Sequence, residues 1–215
     1  ERYMAISDMR RQYSKGSLSE SDITSSPFIM FDKWLKDAID AGIPDPTAMT
    51  VATVDASGQP SQRIVLLKDV SEKGFVFFTN LGSRKAQELA VNPKVSCHFP
   101  WFFMERQVRV CGSVEKLSVS ENAAYFFSRP KDSQLAAYAS KQSKPIGSRE
   151  LLLTQFKQLK DKFANKELPV PDFWGGFRIV PHQIEFWQGG EDRLHDRFEY
   201  NKTEDGAWVT QRLMP

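Results

Sequence analysis

Between Ala48 and Asn80 the chain reads AMTVATVD, ASGQP, SQRIVLLKDV, SEKG and GFVFFTN, so apolar β-type runs alternate with short segments that carry Gly58 and Gly74. Connections of that length join antiparallel neighbours, whereas a parallel crossover needs a dozen or more residues. This stretch therefore commits the chain to antiparallel β structure. KVSCHFPW and ERQVRVCGSVEKL add two β stretches, and WGGFRIVP, QIEFWQGG, DRFEYN and AWVTQRLMP read as closing strands.

Helical signals fall around and between these runs. SPFIMFDKWLKDAIDAG places Phe28, Phe31, Trp34, Leu35, Ala38 and Ile39 at helical spacing, with Ser26 as N-cap, Pro27 in the first turn and Gly42 at the stop. Ser83 opens SRKAQELAVN, which Asn92-Pro93 closes, and Ser148 opens the amphipathic SRELLLTQFKQLKDKFAN. SENAAYFFSRPKDSQLAAYASKQS reads as two short helices broken at Arg129-Pro130. Ile6, Met9, Arg10 and Tyr13 suggest a further short helix, followed by a polar stretch. The expected fold class is α+β: a small antiparallel β-barrel interrupted and flanked by helices, with residues 1–26 as an arm and 27–215 as a single domain.

At 215 residues the chain is long enough for one sizeable core. Its 29 Lys and Arg against 27 Asp and Glu are dispersed, which argues against a general nucleic-acid surface. Cys97 and Cys111 belong to no CxxC pair, as expected of a reduced, cytoplasmic protein. ERYMAISDMRRQY lacks the apolar core of a secretion signal, and no run approaches the roughly 18–20 apolar residues of a membrane span. His98, His182 and His195 make no metal spacing, and GxSxG, GxxxxGK[ST] and GxGxxG are all missing.

What remains is cationic and hydroxyl groups placed where strands end and helices begin, a chemistry suited to phosphate. Arg63 and Lys68 bracket an apolar strand and point to opposite faces if it is regular; they serve two anions or simply face water. Ser83, Arg84 and Lys85 stand at a helix start, where two cations oppose the macrodipole unless an anion lies between. Tyr125, Arg129 and Ser133, four residues apart, form either a phosphate cup on one helical face or a core tyrosine and a cap. Gln107 shares strand parity with Arg109 and Cys111, opposite Val108 and Val110, and either reads the edge of a heterocycle or is exposed. Trp187 lies opposite Ile184 and Phe186, bordering a pocket or the core. In FWQGGEDRLHDR, Arg193, His195 and Arg197 occupy alternate positions, a cationic ladder if the segment is extended.

Taken together, RIVLLK, FFTNLGSRKA, FPWFFMERQVRVCG, SRPKDSQ, SKQS, FWGGFR and FWQGGEDRLHDR closely resemble the bacterial pyridoxine 5′-phosphate oxidase family, from RRQY to RLMP. The resemblance implies a split β-barrel binding flavin mononucleotide (FMN) at a homodimer interface, each site built from both subunits. It also implies oxidation of pyridoxine 5′-phosphate or pyridoxamine 5′-phosphate to pyridoxal 5′-phosphate, with O2 as acceptor and H2O2 as product. Carried over by motif, Arg63, Ile64, Val65, Leu66, Leu67 and Lys68, then Phe78, Thr79, Arg84 and Lys85, line the flavin. Gln107, Gln142, Ser143, Trp187 and Arg197 complete its site. The family often has tyrosine where Phe78 stands, so only a backbone contact carries over there.

Lys68, Tyr125, Arg129 and Ser133 surround the substrate phosphate in the same resemblance. Arg193 and His195 contact the pyridine ring as catalytic residues, and Arg10 and Tyr13 come from the arm as a lid. His195 is either a contact to the ring oxygen or a general base. An FMN- or pyridoxal-phosphate-binding carrier that no longer oxidises is the alternative of the same fold. A β-barrel nucleic-acid module would require a concentrated basic groove.

Overall fold

A computed structural model describes residues 6–215. The first α-helix, α1 (Pro27–Asp40), starts where Ser26 Oγ accepts the N–H groups of Phe28 and Ile29. It buries Phe28, Met30, Phe31, Trp34 and Ala38, each worth about 1.5–3 kcal/mol for a large side chain. Trp34 meets Phe186 edge-on at 5.2 Å, and Phe31 lies 4.9 Å from Phe99. Gly42, at φ 71°, takes the chain out of the helix.

Strands β1 (Ala48–Val54) and β2 (Pro60–Leu66) form an antiparallel hairpin, registered from Ala48↔Leu66 to Val54↔Pro60. The Asp55 carboxylate accepts the amides of Ser57 and Gln59 to close its turn. The run expected as one strand, SQRIVLLKDV, is divided. Leu67 N–H donates to Thr47 O while the next amide, Lys68 N–H, donates to Val76 O, so consecutive residues serve different partners. β3 (Asp69–Ser71) then pairs with β4 (Gly74–Asn80) instead of continuing β2.

Helix α2 (Arg84–Val91), capped by Ser83, leads to β5 (Lys94–Phe99) and β6 (Arg106–Lys116). Helices α3 (Val119–Ser128), α4 (Lys131–Ala139) and α5 (Arg149–Lys162) follow. The two closing runs WGGFRIVP and QIEFWQGG are a single strand, β7 (Trp174–Gln188). Its first part pairs with β4 up to Ile179, and its second part pairs with β8 (Asp196–Lys202) from Gln183. Pro181, with no N–H to donate, falls between the two ladders and leaves the strand unbroken. β9 (Trp208–Leu213) pairs with β8, and the remaining strand order is β2-β1-β5-β6-β7-β4-β3.

By chain contacts there are two compact units. The terminal unit comprises the described chain up to Pro46 with His98–Val110 and His182–Pro215; the central unit comprises Thr47–Cys97 and Cys111–Pro181. The central unit has a hydrophobic core cluster of Phe126, Leu135, Leu168 and Trp174, against which the rings of Phe78, Tyr125, Tyr138 and Phe163 pack. Among the described residues no helix is long and apolar enough to cross a membrane.

The short helix expected around Ile6–Tyr13 does not form: described residues before Glu20 make only an isolated turn, in which Met9 N–H donates to Ile6 O at 3.1 Å. Ile6 and Met9 are exposed, so such a helix would bury no apolar face, and short helices without tertiary packing are marginal in water. The Ser14 and Lys15 amides donate to the Glu105 carboxylate instead.

Candidate active site

In the central unit, three elements converge on Lys85. β4 supplies Thr79, the first turn of α2 supplies Lys85, and the loop after α4 supplies Gln142. The buried Lys85 ammonium donates to Thr79 Oγ1 at 3.0 Å and to Gln142 Oε1 at 2.8 Å. Both partners are neutral. Burial, with the Arg63 charge adding to it, lowers the Lys85 pKa to about 8. A buried cation pushed toward neutrality beside another cation is a site in which an anion would be stabilising. Ser143 follows Gln142 with φ 68°, in the exposed loop.

Arg63 and Arg84 are linked through Glu88, which sequence reading did not single out. This buried carboxylate accepts from Thr53, from Ser61 and from Arg84 Nε at 3.0 Å, and Arg63 Nη2 stands 3.6 Å away. Burial alone would raise the Glu88 pKa, but the hydroxyl and guanidinium donors more than offset it and hold it below the usual range. The i,i+4 spacing of Arg84 and Glu88 was the available signal. On β2 the side chains alternate: Arg63 and Val65 are half-buried, while Ile64 and Leu66 are 72% and 42% exposed. Because the strand ends before Leu67, the expected opposition of Arg63 and Lys68 across one regular strand does not hold. Leu67 is buried and Lys68 exposed.

A second cationic group forms around the hydrophobic core cluster of the same unit. Tyr125 stacks on Phe78 at 3.9 Å, and Phe78 stacks on Trp174 at 5.1 Å. Lys68 Nζ lies 6.0 Å from the Tyr125 ring centre, and the Arg129 guanidinium lies 5.1 Å from that of Trp174. Tyr125, Arg129 and Ser133 do not share one helical face. Arg129 caps α3 with ψ 147°, and α4 begins only after Pro130, because a residue before proline is driven out of the helical region. Ser133 sits in the first turn of α4, its amide donating to Pro130 O.

Arg129 Nη1 is buried and has no hydrogen-bond partner among the described residues. A buried polar group left unpaired costs about 1–3 kcal/mol, a penalty that an oxyanion of the right size would remove. Burial lowers the Arg129 pKa and Tyr125 opposes the shift; a guanidinium nonetheless stays charged at any working pH.

In the terminal unit three of the candidate residues form a ring cluster. Trp187, on β7, packs its ring 4.7 Å from that of His195, and Tyr13 closes the group at 6.0 Å from Trp187 and 5.5 Å from His195. His195 Nδ1 accepts the Gly190 amide at 3.1 Å, which leaves Nε2 as the nitrogen not engaged in that bond. Gln107 Oε1 lies 2.8 Å from His98 Nε2. Arg197 donates from Nε to the buried Glu185 at 2.8 Å, and Arg109 Nη2 lies 3.3 Å from the same carboxylate. Arg10 is exposed, near Ser7 O and Asp8.

The expected ladder of Arg193, His195 and Arg197 is absent. Glu191–Arg193 form a 3-10 turn in which Asp192 and Arg193 have φ 53° and 62°, and β8 begins only at Asp196. A left-handed residue breaks the two-residue alternation, so Arg193 is set apart from the strand and exposed. Acidic groups were the main omission from sequence reading: Glu88, Glu105 and Glu185 are all buried and each holds at least one arginine. Glu185, standing between Ile184 and Phe186, and Glu105, directly before a strand, carried little local signal.

Comparison with known proteins adds a second line of evidence. Residues 35–163 match the family model described as pyridoxamine 5′-phosphate oxidase, and residues 174–215 match the pyridoxine 5′-phosphate oxidase C-terminal dimerisation region. The chain is 94% identical to a pyridoxine/pyridoxamine 5′-phosphate oxidase of Alteromonas mediterranea, over 99% of this chain and 100% of that one. It is 59% identical to the protein of the same name from Pseudoalteromonas atlantica, over 98% and 99% of the two chains. Among solved structures, PhzG from Burkholderia lata in complex with tetrahydrophenazine-1-carboxylic acid superposes with a TM-score of 0.86 at 31% identity, covering 91% of this chain and 95% of that one. A pyridoxamine 5′-phosphate oxidase-related, FMN-binding protein from Nostoc punctiforme shares the fold at a TM-score of 0.73 and 15% identity, covering 90% and 100%.

Proposed function

The chain belongs to the pyridoxamine 5′-phosphate oxidase family and oxidises pyridoxine 5′-phosphate and pyridoxamine 5′-phosphate; we propose that it does so with FMN as cofactor and O2 as acceptor, giving pyridoxal 5′-phosphate and H2O2. The observation that carries this reading is the pair of cationic groups in the central unit, one around Lys85 and one around Arg129. A phosphorylated cofactor and a phosphorylated substrate require two anion sites. The protein acts as a cytoplasmic homodimer, with the flavin shared between protomers and the C-terminal region forming part of the contact.

The donor set fits FMN. Lys85, Arg84 and Arg63 receive its phosphate, and the α2 N-terminus contributes its dipole. Thr79 and Gln142 orient Lys85; Ile64 and Leu66, on the exposed apolar side of β2, would hold the flavin together with Val65 and Leu67. Phe78 contributes its backbone, and Gln107, Ser143, Trp187 and Arg197 complete the site. When bound, FMN would supply the two-electron acceptor for the C4′ carbon, with O2 as the final oxidant.

The remaining residues hold the substrate. Arg129, Lys68, Tyr125 and Ser133 bind its phosphate, so that the ring is oriented before chemistry begins. Arg193 orients the ring, His195 contacts its oxygen, and Arg10 and Tyr13 cover it from the arm. As a hydride leaves C4′ that carbon becomes electron-poor, so a contact that raises electron density on the ring oxygen, together with a cation beside the electron acceptor, would stabilise the charge that develops.

Anaerobic mixing of the purified protein with pyridoxine 5′-phosphate tests the reading. Bleaching of the flavin band, then recovery in air with release of H2O2, is expected. A yellow protein that neither bleaches nor makes peroxide with either substrate would be a carrier and would overturn the proposal.

A further inference from the structure

Glu105 stands just before β6 and is fully buried, yet no step above uses it. Its backbone is left-handed, φ 56° and ψ 38°, a conformation that costs a non-glycine residue on the order of 1–2 kcal/mol. The same residue bonds in two directions within the terminal unit. Its carboxylate accepts the Ser14 amide at 3.0 Å, the Lys15 amide at 2.8 Å and Arg11 Nη1 at 2.8 Å. Its carbonyl accepts the Gly189 amide at 2.7 Å and Gln188 Nε2 at 3.2 Å, just beyond Trp187.

The segment so held is tightly seated. The Arg11 guanidinium, while paired to Glu105, lies 4.8 Å from the Tyr13 ring centre and 5.4 Å from that of Phe102. Lys15 Nζ donates to Phe103 O at 2.7 Å. A Cβ added to Gly189 would stand 3.1 Å from both Glu105 Cβ and the Tyr13 ring, so these neighbours would have to give by a few tenths of an ångström to admit one. Between these anchors lies Tyr13, whose ring packs on both Trp187 and His195.

We infer that Glu105 is a positioning residue: its carboxylate latches Arg11–Lys15 while its carbonyl holds the end of β7, so that Tyr13 is set against His195 and Trp187. The inference rests on the reading of those two residues as parts of the active site. An unanchored arm would give up this placement each time it left the surface. A carboxylate suits the task because one group takes two amides and a guanidinium together, which a neutral side chain accepts less strongly.

The arm carries its own reporter, since trypsin cleaves after Arg11 and Lys15 only where the backbone is released. In the flavin-loaded enzyme, Glu105→Ala is expected to speed cleavage after Lys15 at least tenfold and to raise the KM for pyridoxine 5′-phosphate about tenfold, with flavin content unchanged. Glu105→Gln keeps an acceptor for the amides and loses the ion pair, so it should fall between Glu105→Ala and the parent in both readouts. Arg11→Ala should match Glu105→Gln, and these two carry the test if Glu105→Ala does not fold. Cleavage at the parental rate, or faster cleavage with an unchanged KM, overturns the inference. A parent enzyme inactive on both substrates, with cleavage still responding to Glu105, would instead remove the functional reading and leave the latch.

Discussion

The anion groups of the central unit and the ring cluster of the terminal unit are built in opposite ways. Lys85 stands in the first turn of α2 and is itself buried, and Arg129 stands at the C-cap of α3 with its Nη1 buried. Tyr13, Arg193 and His195 stand on irregular backbone: a stretch of the arm outside any helix or strand, a turn with positive φ at Asp192 and Arg193, and the residue before β8. A phosphate carries the same charge through the reaction and rewards a rigid cradle. On the proposed reading, a ring whose charge changes during turnover would be met by groups on segments that open at lower cost, as active-site loops commonly do.

That contrast can be broken by mutation, and the largest effect is expected in the irregular group. Arg193→Leu should lower kcat/KM by about 100-fold, the scale of losing one donor to developing charge, with flavin content unchanged; parental activity in steady-state assays would remove Arg193 from the chemistry. Arg129→Leu should raise the substrate KM by about 10–100-fold, as expected for losing a charge-assisted bond of about 1.5–3 kcal/mol. A fall in flavin affinity instead would mean that the two cationic groups are not separate anion sites.

Smaller effects sharpen the comparison within the central unit. Lys85→Met should weaken FMN binding about tenfold, followed by quenching of flavin fluorescence on titration of the apoprotein. The Lys85 pKa is lowered to about 8, so the ammonium is charged below that pH and lost above it. Parental flavin affinity should therefore fall as pH rises past about 8, and the Lys85→Met protein should lack that step. The smallest effect is expected from Ser83→Ala, which removes the α2 cap at a cost of about 1 kcal/mol in stability by denaturant titration. It should leave trypsin cleavage after Lys15 unchanged.

Much of the scaffold was legible from local chemistry. Ser26 with Pro27, Ser83 and Ser148 start helices where capping rules put them. Val108 and Val110 are buried opposite Gln107 and Arg109, as strand alternation requires. Site residues could be chosen from motifs, but their grouping could not. Regular periodicity was extended across Leu67-Lys68, Arg129-Pro130 and Asp192-Arg193, and in each case the backbone turned out of register. Glu88, Glu105 and Glu185 were passed over because nothing in a single acidic residue tells whether it will be buried.

The sequence by itself determined the antiparallel character, the helix starts and the supply of cationic and hydroxyl side chains, because caps, turns and alternation depend on neighbours a few residues away. Only the tertiary structure decided that Lys85 would be buried among neutral partners, that Arg129 would keep a free N–H, and that Arg193 would leave the line of His195 and Arg197. Those outcomes depend on burial and on contacts between segments as far apart as Ser14 and Glu105, for which no local pattern exists.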